Sequence, residues 1–252
     1  MIIDKPQAAQ IPQLRALWTE AFGDTDDFLD VFFHRAYSAD RCRCVTENGT
    51  VAAALYWFDC QWEGKQIAYL YAVATAKSQR GKGLCKALME NTHQHLRQAG
   101  YAGCILHPQS EGLFSMYGKL GYTTCSYVKE FSCVSSGDPV PLAQASPAEY
   151  AAVRRALLPA NGVLQEGVTL DFLSTYARLY TGSNFALAAY PNKEELVVCE
   201  LLGSPEKAPQ ILTTLGYAQG TFRVPGQETP FAMYLPLEKN PATPAYFGLA
   251  LD

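Results

Sequence analysis

The stretch from Tyr69 to Tyr122 constrains the fold more than any other part of this chain. Tyr69 to Ala74 is aromatic and aliphatic with no breaker, so it reads as a buried strand. Arg80, Gly81, Lys82 and Gly83 then turn the chain into Leu84 to Arg97, where Leu84, Ala87, Leu88 and Leu96 recur at helical spacing and Gly100 suits the helix end. The unit is strand, glycine-rich turn, helix. Amides at a helix start have no partner within the helix, and the dipole places partial positive charge there, so phosphate binds well in such a place. Glycines let the main chain approach a pyrophosphate, and Arg80, Lys82 and Lys86 add positive charge around it. The spacing is not that of the triphosphatase loop, which needs Gly, four residues, then Gly-Lys-Ser/Thr. Nor is it Gly-x-Gly-x-x-Gly, because Lys86 takes the last place. Standing alone, the turn is equally a plain connection between strand and helix.

The turn does not stand alone. A strand over Ala102 to Leu106, a helix over Gly112 to Leu120, then Gly121-Tyr122 and another strand follow it. Arg80, Gly83 and Cys85 lie in the pattern Arg-x-x-Gly-x-Gly/Ala, and Tyr117 sits in Met-Tyr-Gly-Lys-Leu-Gly-Tyr. With these motifs, roughly residues 1 to 135 resemble the GNAT superfamily, the N-acetyltransferases that use acetyl-coenzyme A. Cys85 departs from the usual Gly or Ala, but it is small enough for its amide to reach a pyrophosphate. The resemblance implies an α/β fold with a mixed sheet, the acyl-CoA N-acyltransferase fold. It also implies roles: the backbone of Ala72, Val73 and Ala74 pairs with the pantetheine arm, and Arg80, Gly81, Lys82, Gly83, Leu84 and Cys85 hold the pyrophosphate. Tyr117, in the family's Tyr-x-Lys-x-Gly-Phe/Tyr, protonates the leaving thiolate. Against that role, Leu113, Tyr117 and Leu120 form one helical stripe, and tyrosine on such a stripe is usually core.

The chemistry needs few groups. An amine attacks the thioester directly, so the protein must hold both reactants, stabilise the oxyanion and move protons. The Val73 amide is a candidate for polarising the carbonyl. Tyrosine, with a pKa near about 10, suits a thiolate whose acid has a pKa of about 8.5. For the general base, Glu111, Asp59, Glu63 and His107 are candidates, as is a chain of waters. Asp24, Asp26, Asp27 and Asp30 either attract a cationic acceptor or simply solvate a helix start.

Composition narrows the class. With 20 Lys and Arg against 24 Asp and Glu, the formal charge of -4 gives no general affinity for nucleic acid. The first ten residues, MIIDKPQAAQ, carry no leader pattern and no run of about eighteen apolar residues exists, so a cytoplasmic protein with no membrane span is expected. The 8 cysteines are scattered and read as reduced core thiols. Cys42 and Cys44 lack a second close pair or a local histidine, so no metal is expected.

Elsewhere, Ile11 to Phe22 and Phe28 to Tyr37 read as amphipathic helices, which in the resembled fold border the acceptor site, and Asn48-Gly49 marks a hairpin. Ser135 to Pro141 reads as a linker between a catalytic domain at 1-136 and an accessory domain at 140-252. Ser146, Pro147 and Glu149 start a helix to about Leu158, and another is expected over Thr169 to Tyr180. A hairpin around Pro191-Asn192, a helix ending near Gly216 and strands at Thr221 to Val224 and Phe231 to Leu235 follow. Leu-Gly-Tyr at 120–122 and again at 215–217 hints that the second half is a degenerate copy of the first. It has no Arg-x-x-Gly-x-Gly turn, so its expected role is to cover the first domain's sheet edge and shape the acceptor pocket, in a monomer or homodimer. The apolar stretch Ala245 to Asp252 should be docked, with the α-carboxylate of Asp252 a further candidate base. The function expected is acetyl transfer from acetyl-coenzyme A to a small-molecule or protein amine. Competing readings are a non-catalytic acyl-coenzyme A sensor or scaffold, and an unrelated phosphate-binding module for which the Tyr117 phrase is accidental.

Overall fold

The computed structural model describes residues 1–190, 192, 194–239 and 242–251. A short strand, β1 (Ile2–Asp4), precedes helices α1 (Ile11–Phe22) and α2 (Asp26–Arg35). In α1, Pro12 sits in the first turn, Leu14, Leu17 and Trp18 form the buried face, and left-handed Gly23 ends the helix. The Thr25 hydroxyl caps α2 by accepting the Phe28 amide, with Asp26 and Asp27 in the first turn. Strands β2 (Cys42–Glu47) and β3 (Thr50–Trp62) form the expected hairpin, with Asn48 and Gly49 both at positive φ. Then come β4 (Lys65–Thr75), α3 (Leu84–Gln98), β5 (Gly103–Leu106), α4 (Glu111–Gly118) and β6 (Thr123–Val134).

The second half holds β7 (Leu142–Gln144), α5 (Pro147–Leu157), α6 (Val168–Leu173), β8 (Arg178–Gly182), β9 (Phe185–Tyr190), β10 (Leu196–Gly203), α7 (Ala208–Leu215), β11 (Gln219–Pro225) and β12 (Thr229–Pro236). Helix α5 opens with the expected capping box of Ser146 and Glu149. The helix expected over Thr169 to Tyr180 stops at Leu173. There the Ser174 and Thr175 hydroxyls turn back to the Asp171 and Phe172 carbonyls, and Arg178–Gly182 instead pairs with β7 and β9. Pro191, in the expected hairpin turn, lies outside the described residues.

Among the described residues all the strands join one sheet, in the order β1-β2-β3-β4-β5-β12-β6-β11-β10-β9-β8-β7. The order is a palindrome when β1 to β6 exchange with β7 to β12. Strands β4 and β5 are parallel and linked through α3; β10 and β11 are parallel and linked through α7. The second half therefore repeats the first in degenerate form, and the last strand of each half is exchanged. Strand β12 pairs with β5 and β6, while β6 pairs with β12 and β11. The two Leu-Gly-Tyr phrases occupy unequal places in this repeat. The first leads into β6, the second into β11, whose counterpart is β5.

Successive residues of a strand face opposite sides, which divides the core. Tyr69 and Tyr71 face a cluster shared by α1, α2, α5 and α6, whereas Ala68 and Leu70 face α3 and α4. The two halves meet where α2 packs on α6, with Phe172 at 5.6 Å from Phe28 and 5.5 Å from Phe32 between ring centroids. Residues 246–251 are buried, as expected of so apolar a stretch. Its backbone is tied down at several points: the Tyr246 carbonyl accepts from Val163, Ser126 both donates to and accepts from Phe247, Gln165 does the same for Leu249, and the Leu251 amide donates to the Tyr69 hydroxyl at 3.0 Å. Asp252 lies outside the described residues. Among the described residues no helix is long and apolar enough to cross a membrane.

Candidate functional site

The site begins where β4 breaks register. Ala54 opposes Ala74 and Tyr56 opposes Tyr71, so three residues of β4 span two of β3. The extra residue is a bulge, and Ala72 within it takes φ 48°, a left-handed value that costs an alanine about 1 kcal/mol. The parallel ladder to β5 ends close by, at Tyr69 and Ile105, and no further pair joins the two strands. Beyond that point they part. The gap is the mouth of a cavity of about 420 Å³ lined by Leu70 to Val73 on one side and Leu106, His107 and Gln109 on the other.

The same strand leads to the glycine-rich turn. Lys77–Gln79 makes one tight turn, the Arg80 guanidinium donates to the Thr75 carbonyl at 3.2 Å, and Gly81 and Gly83 follow at φ 77° and 78°. A side chain at either glycine would be conformationally strained although the space around both is open. Left-handed Gly83 is the first residue before α3, where no side chain caps the helix. The amides of Leu84, Cys85 and Lys86 therefore lie in the first turn without an intrahelical acceptor, at the positive end of a 15-residue dipole. The cationic side chains are held nearby: Lys82 donates to Gln79 at 2.6 Å, and Lys86 pairs with Glu90 at 3.8 Å. Open glycines and an uncapped helix start fit an anionic phosphate group.

Helix α4 carries Tyr117 to the cavity wall beside Leu113. Its ring is 7% exposed and meets Tyr122 edge-on at 5.8 Å, so the core stripe and the site coincide in one residue. Burial, with a smaller contribution from the Cys85 thiol, pushes the Tyr117 phenol well above its ordinary pKa and keeps it protonated. His107 also lines the cavity. Its Nδ1 donates to the Phe231 carbonyl at 2.6 Å, which fixes that proton and makes Nε2 the basic nitrogen.

The other candidate bases are elsewhere. Asp59 accepts from Tyr101 at 2.6 Å and Arg41 at 3.3 Å, and Glu63 sits in the β3–β4 turn at the far end of both strands. Glu111 opens α4 and does not line the cavity. Of the four aspartates near α2, Asp26 and Asp30 face Arg15 on the outer surface, whereas Asp24 lines the cavity and accepts the Trp18 indole N–H at 2.7 Å. The structure brings together Ala72, Val73, His107, Tyr117 and Asp24 on one cavity, with Arg80 to Cys85 following the C-terminal end of β4. Ala74 turns instead toward Leu14 and Leu17 of α1. Tyr71, Tyr176 and Leu251 were not singled out from sequence, yet all three line the cavity. Among the described residues no cluster of three or more His, Cys, Asp or Glu is arranged to hold a metal ion.

Comparison with known proteins bears on this geometry. No curated protein sequence matches significantly. The structure resembles a GCN5-related N-acetyltransferase from Anabaena variabilis (TM-score 0.72, 15% identity, 94% of this chain and 73% of that one). It also resembles a GCN5-related N-acetyltransferase from Kribbella flavida (TM-score 0.69, 16% identity, 94% and 72%). A third is Eis1 from Mycobacterium abscessus (TM-score 0.66, 12% identity, 94% and 74%). At these identities the likeness is one of fold, and it runs through both halves of the chain. A family model, acetyltransferase (GNAT) domain, matches residues 3–125. The bulged strand, the glycine turn and the Tyr117 helix all fall inside that match, and the N-terminal half of this chain belongs to the GNAT acetyltransferase family.

Proposed function

We propose that this protein transfers an acetyl group from acetyl-coenzyme A to a primary amine by direct attack, with Tyr117 as general acid. The observation that carries the reading is a cavity bounded by the β4 bulge and Tyr117, on the same strand that leads into an open glycine turn at a helix start. The pyrophosphate lies on the amides from Arg80 to Cys85, the pantetheine arm runs along the free edge of β4 beyond Tyr69, and the Val73 amide receives the thioester oxygen. The amine nitrogen forms a bond to the carbonyl carbon as the carbon–sulfur bond breaks. His107 takes the proton lost by nitrogen, and Tyr117 supplies one to the thiolate. Because the Tyr117 pKa is raised, the acid remains charged with its proton throughout the neutral range. The second half and the terminal segment complete the acceptor wall through Tyr176 and Leu251, so one chain suffices.

Calorimetric titration of acetyl-coenzyme A into wild type and Gly83→Glu, with thiol-release assays of wild type and Tyr117→Phe, tests this. Expected are binding lost in Gly83→Glu and, in Tyr117→Phe, intact binding with turnover reduced about 10²- to 10⁴-fold. Binding without thiol release on any amine would replace the enzyme by an acyl-coenzyme A sensor or scaffold. No binding in wild type would remove the proposal altogether.

A further inference from the structure

The acceptor end of the cavity has a chemistry of its own. Trp18, Phe22, Phe28 and Tyr176 line it, and Leu251 closes it, so its wall is aromatic and aliphatic. Phe22 is one of few large apolar residues left exposed, at 46%, and it lines the cavity. Against this wall there is one carboxylate, Asp24, held in place by the Trp18 indole at 2.7 Å. No other Asp or Glu, and no Lys or Arg, lines the cavity among the described residues. Asp26 and Asp30, which follow Asp24 in the chain, pair with Arg15 at 3.7 and 2.8 Å.

Resting on the acetyltransferase reading, we infer that the acceptor is a monocationic primary amine with an apolar body about the size of a phenyl ring, rather than a polyamine, an aminosugar or an amino acid. Asp24 receives the ammonium as it enters, and aromatic faces on either side favour both a cation and a flat apolar group. Among the described lining residues a second or third ammonium would meet no further carboxylate, and the carboxylate of an amino acid would meet Asp24 with no Lys or Arg to offset it.

The test is a thiol-release comparison of 2-phenylethylamine, ethylamine, spermidine, kanamycin and phenylalanine, run beside calorimetric titration of 2-phenylethylamine into the protein. The expected result is kcat/KM at least tenfold higher for 2-phenylethylamine than for any of the others. Asp24→Asn, whose amide oxygen can still accept the Trp18 N–H, should raise KM for 2-phenylethylamine more than tenfold and leave KM for acetyl-coenzyme A unchanged. Phe22→Ala should reduce the preference over ethylamine at least fivefold. Turnover favouring spermidine or kanamycin, or an Asp24→Asn variant with unaltered KM, overturns the inference while leaving acetyl transfer intact. Calorimetric binding of 2-phenylethylamine that is lost in Asp24→Asn, with no thiol release, would uphold the ligand class and sink the enzyme. Absence of both binding and turnover with this amine overturns the inference.

Discussion

Arg154→Ala should be among the most damaging single substitutions in this chain, although the residue lies outside the cavity. Its side chain is 2% exposed and donates Nε to Glu200 Oε2 at 2.6 Å, Nη2 to Oε1 at 2.9 Å and Nη1 to the Val163 carbonyl at 3.3 Å. Glu200 is fully buried and also accepts the Tyr150 and Tyr246 hydroxyls at 3.2 and 3.0 Å. Truncating Arg154 strands a buried carboxylate on two phenols, which costs about 3–5 kcal/mol. In a chain of this length each kcal/mol moves Tm by roughly 2–4 °C, so calorimetry should show a fall of roughly 6–20 °C. The pair is not itself the source of stability, because an apolar replacement of both members is often neutral. Arg154→Met with Glu200→Leu should therefore recover most of the loss. The site should register the single change too: Tyr246 is the first residue of the buried terminal run, and Leu251 at its other end lines the cavity. KM for the amine should rise at temperatures where Arg154→Ala is still folded. A loss below about 1 kcal/mol in the single variant, or a double variant as unstable as the single, would refute the uncompensated-charge argument.

Two further outcomes follow from strained or titrating groups. His93 lies on the buried face of α3, bonded to the Tyr122 hydroxyl at 2.8 Å, and burial lowers its pKa from 6.5 to about 4. The unfolded chain then binds the proton first as pH falls, so stability is full above pH 6.5 and drops by up to about 3 kcal/mol toward pH 4. Urea unfolding at pH 7 and pH 5 should show this loss in wild type and a smaller one in His93→Gln. At the bulge, Ala72→Val places a β-branched side chain at φ 48° and should cost about 1–2 kcal/mol together with kcat, whereas Ala72→Gly should keep stability within about 1 kcal/mol of wild type, both read by thermal unfolding and thiol release.

What could be read from the sequence was local. The strand, turn and helix around Arg80, the Asn48-Gly49 hairpin and the capped start of α5 are set by residues close together in the chain, and each formed where its signal stood. Strands β1 and β7 were not legible, because three residues carry no period and each exists only by pairing with its neighbour, β2 or β8. The start of Arg178–Gly182 was expected to end a helix, because its pairing with β7 and β9 decides the matter and leaves no local signal. In the site, Tyr117 could be located from its surrounding phrase, while Asp24 could not be separated from Asp26 and Asp30 until α2 placed the latter two against Arg15. Tyr176 reaches the cavity only through the packing of α6 on α2, a contact between residues about 140 apart for which no local signal exists.

The palindromic sheet lets the bulged strand of one half, which borders an open cavity, be compared with its counterpart in the other. In the second half β10 also bulges, between Val198 and Glu200, and its parallel ladder to β11 also ends early, at Val198 and Phe222. Counted from the last parallel pair, Glu200 stands where Tyr71 stands in the first half. Tyr71 faces the cavity, but Glu200 faces Arg154, Tyr150 and Tyr246 with no room to spare. The connection into α7 is Ser204-Pro205-Glu206-Lys207, which has one acid, one base and no glycine, and α7 is only 8 residues long. The space that a second acyl group would need is thus filled by an ion pair that anchors the terminal segment. From that anchor the segment runs past Ser126 and Gln165 to Tyr69, and its Leu251 closes the cavity of the first half. The loss of a site in one copy and the completion of the site in the other are therefore the same structural event, carried by six residues of backbone held at every second position.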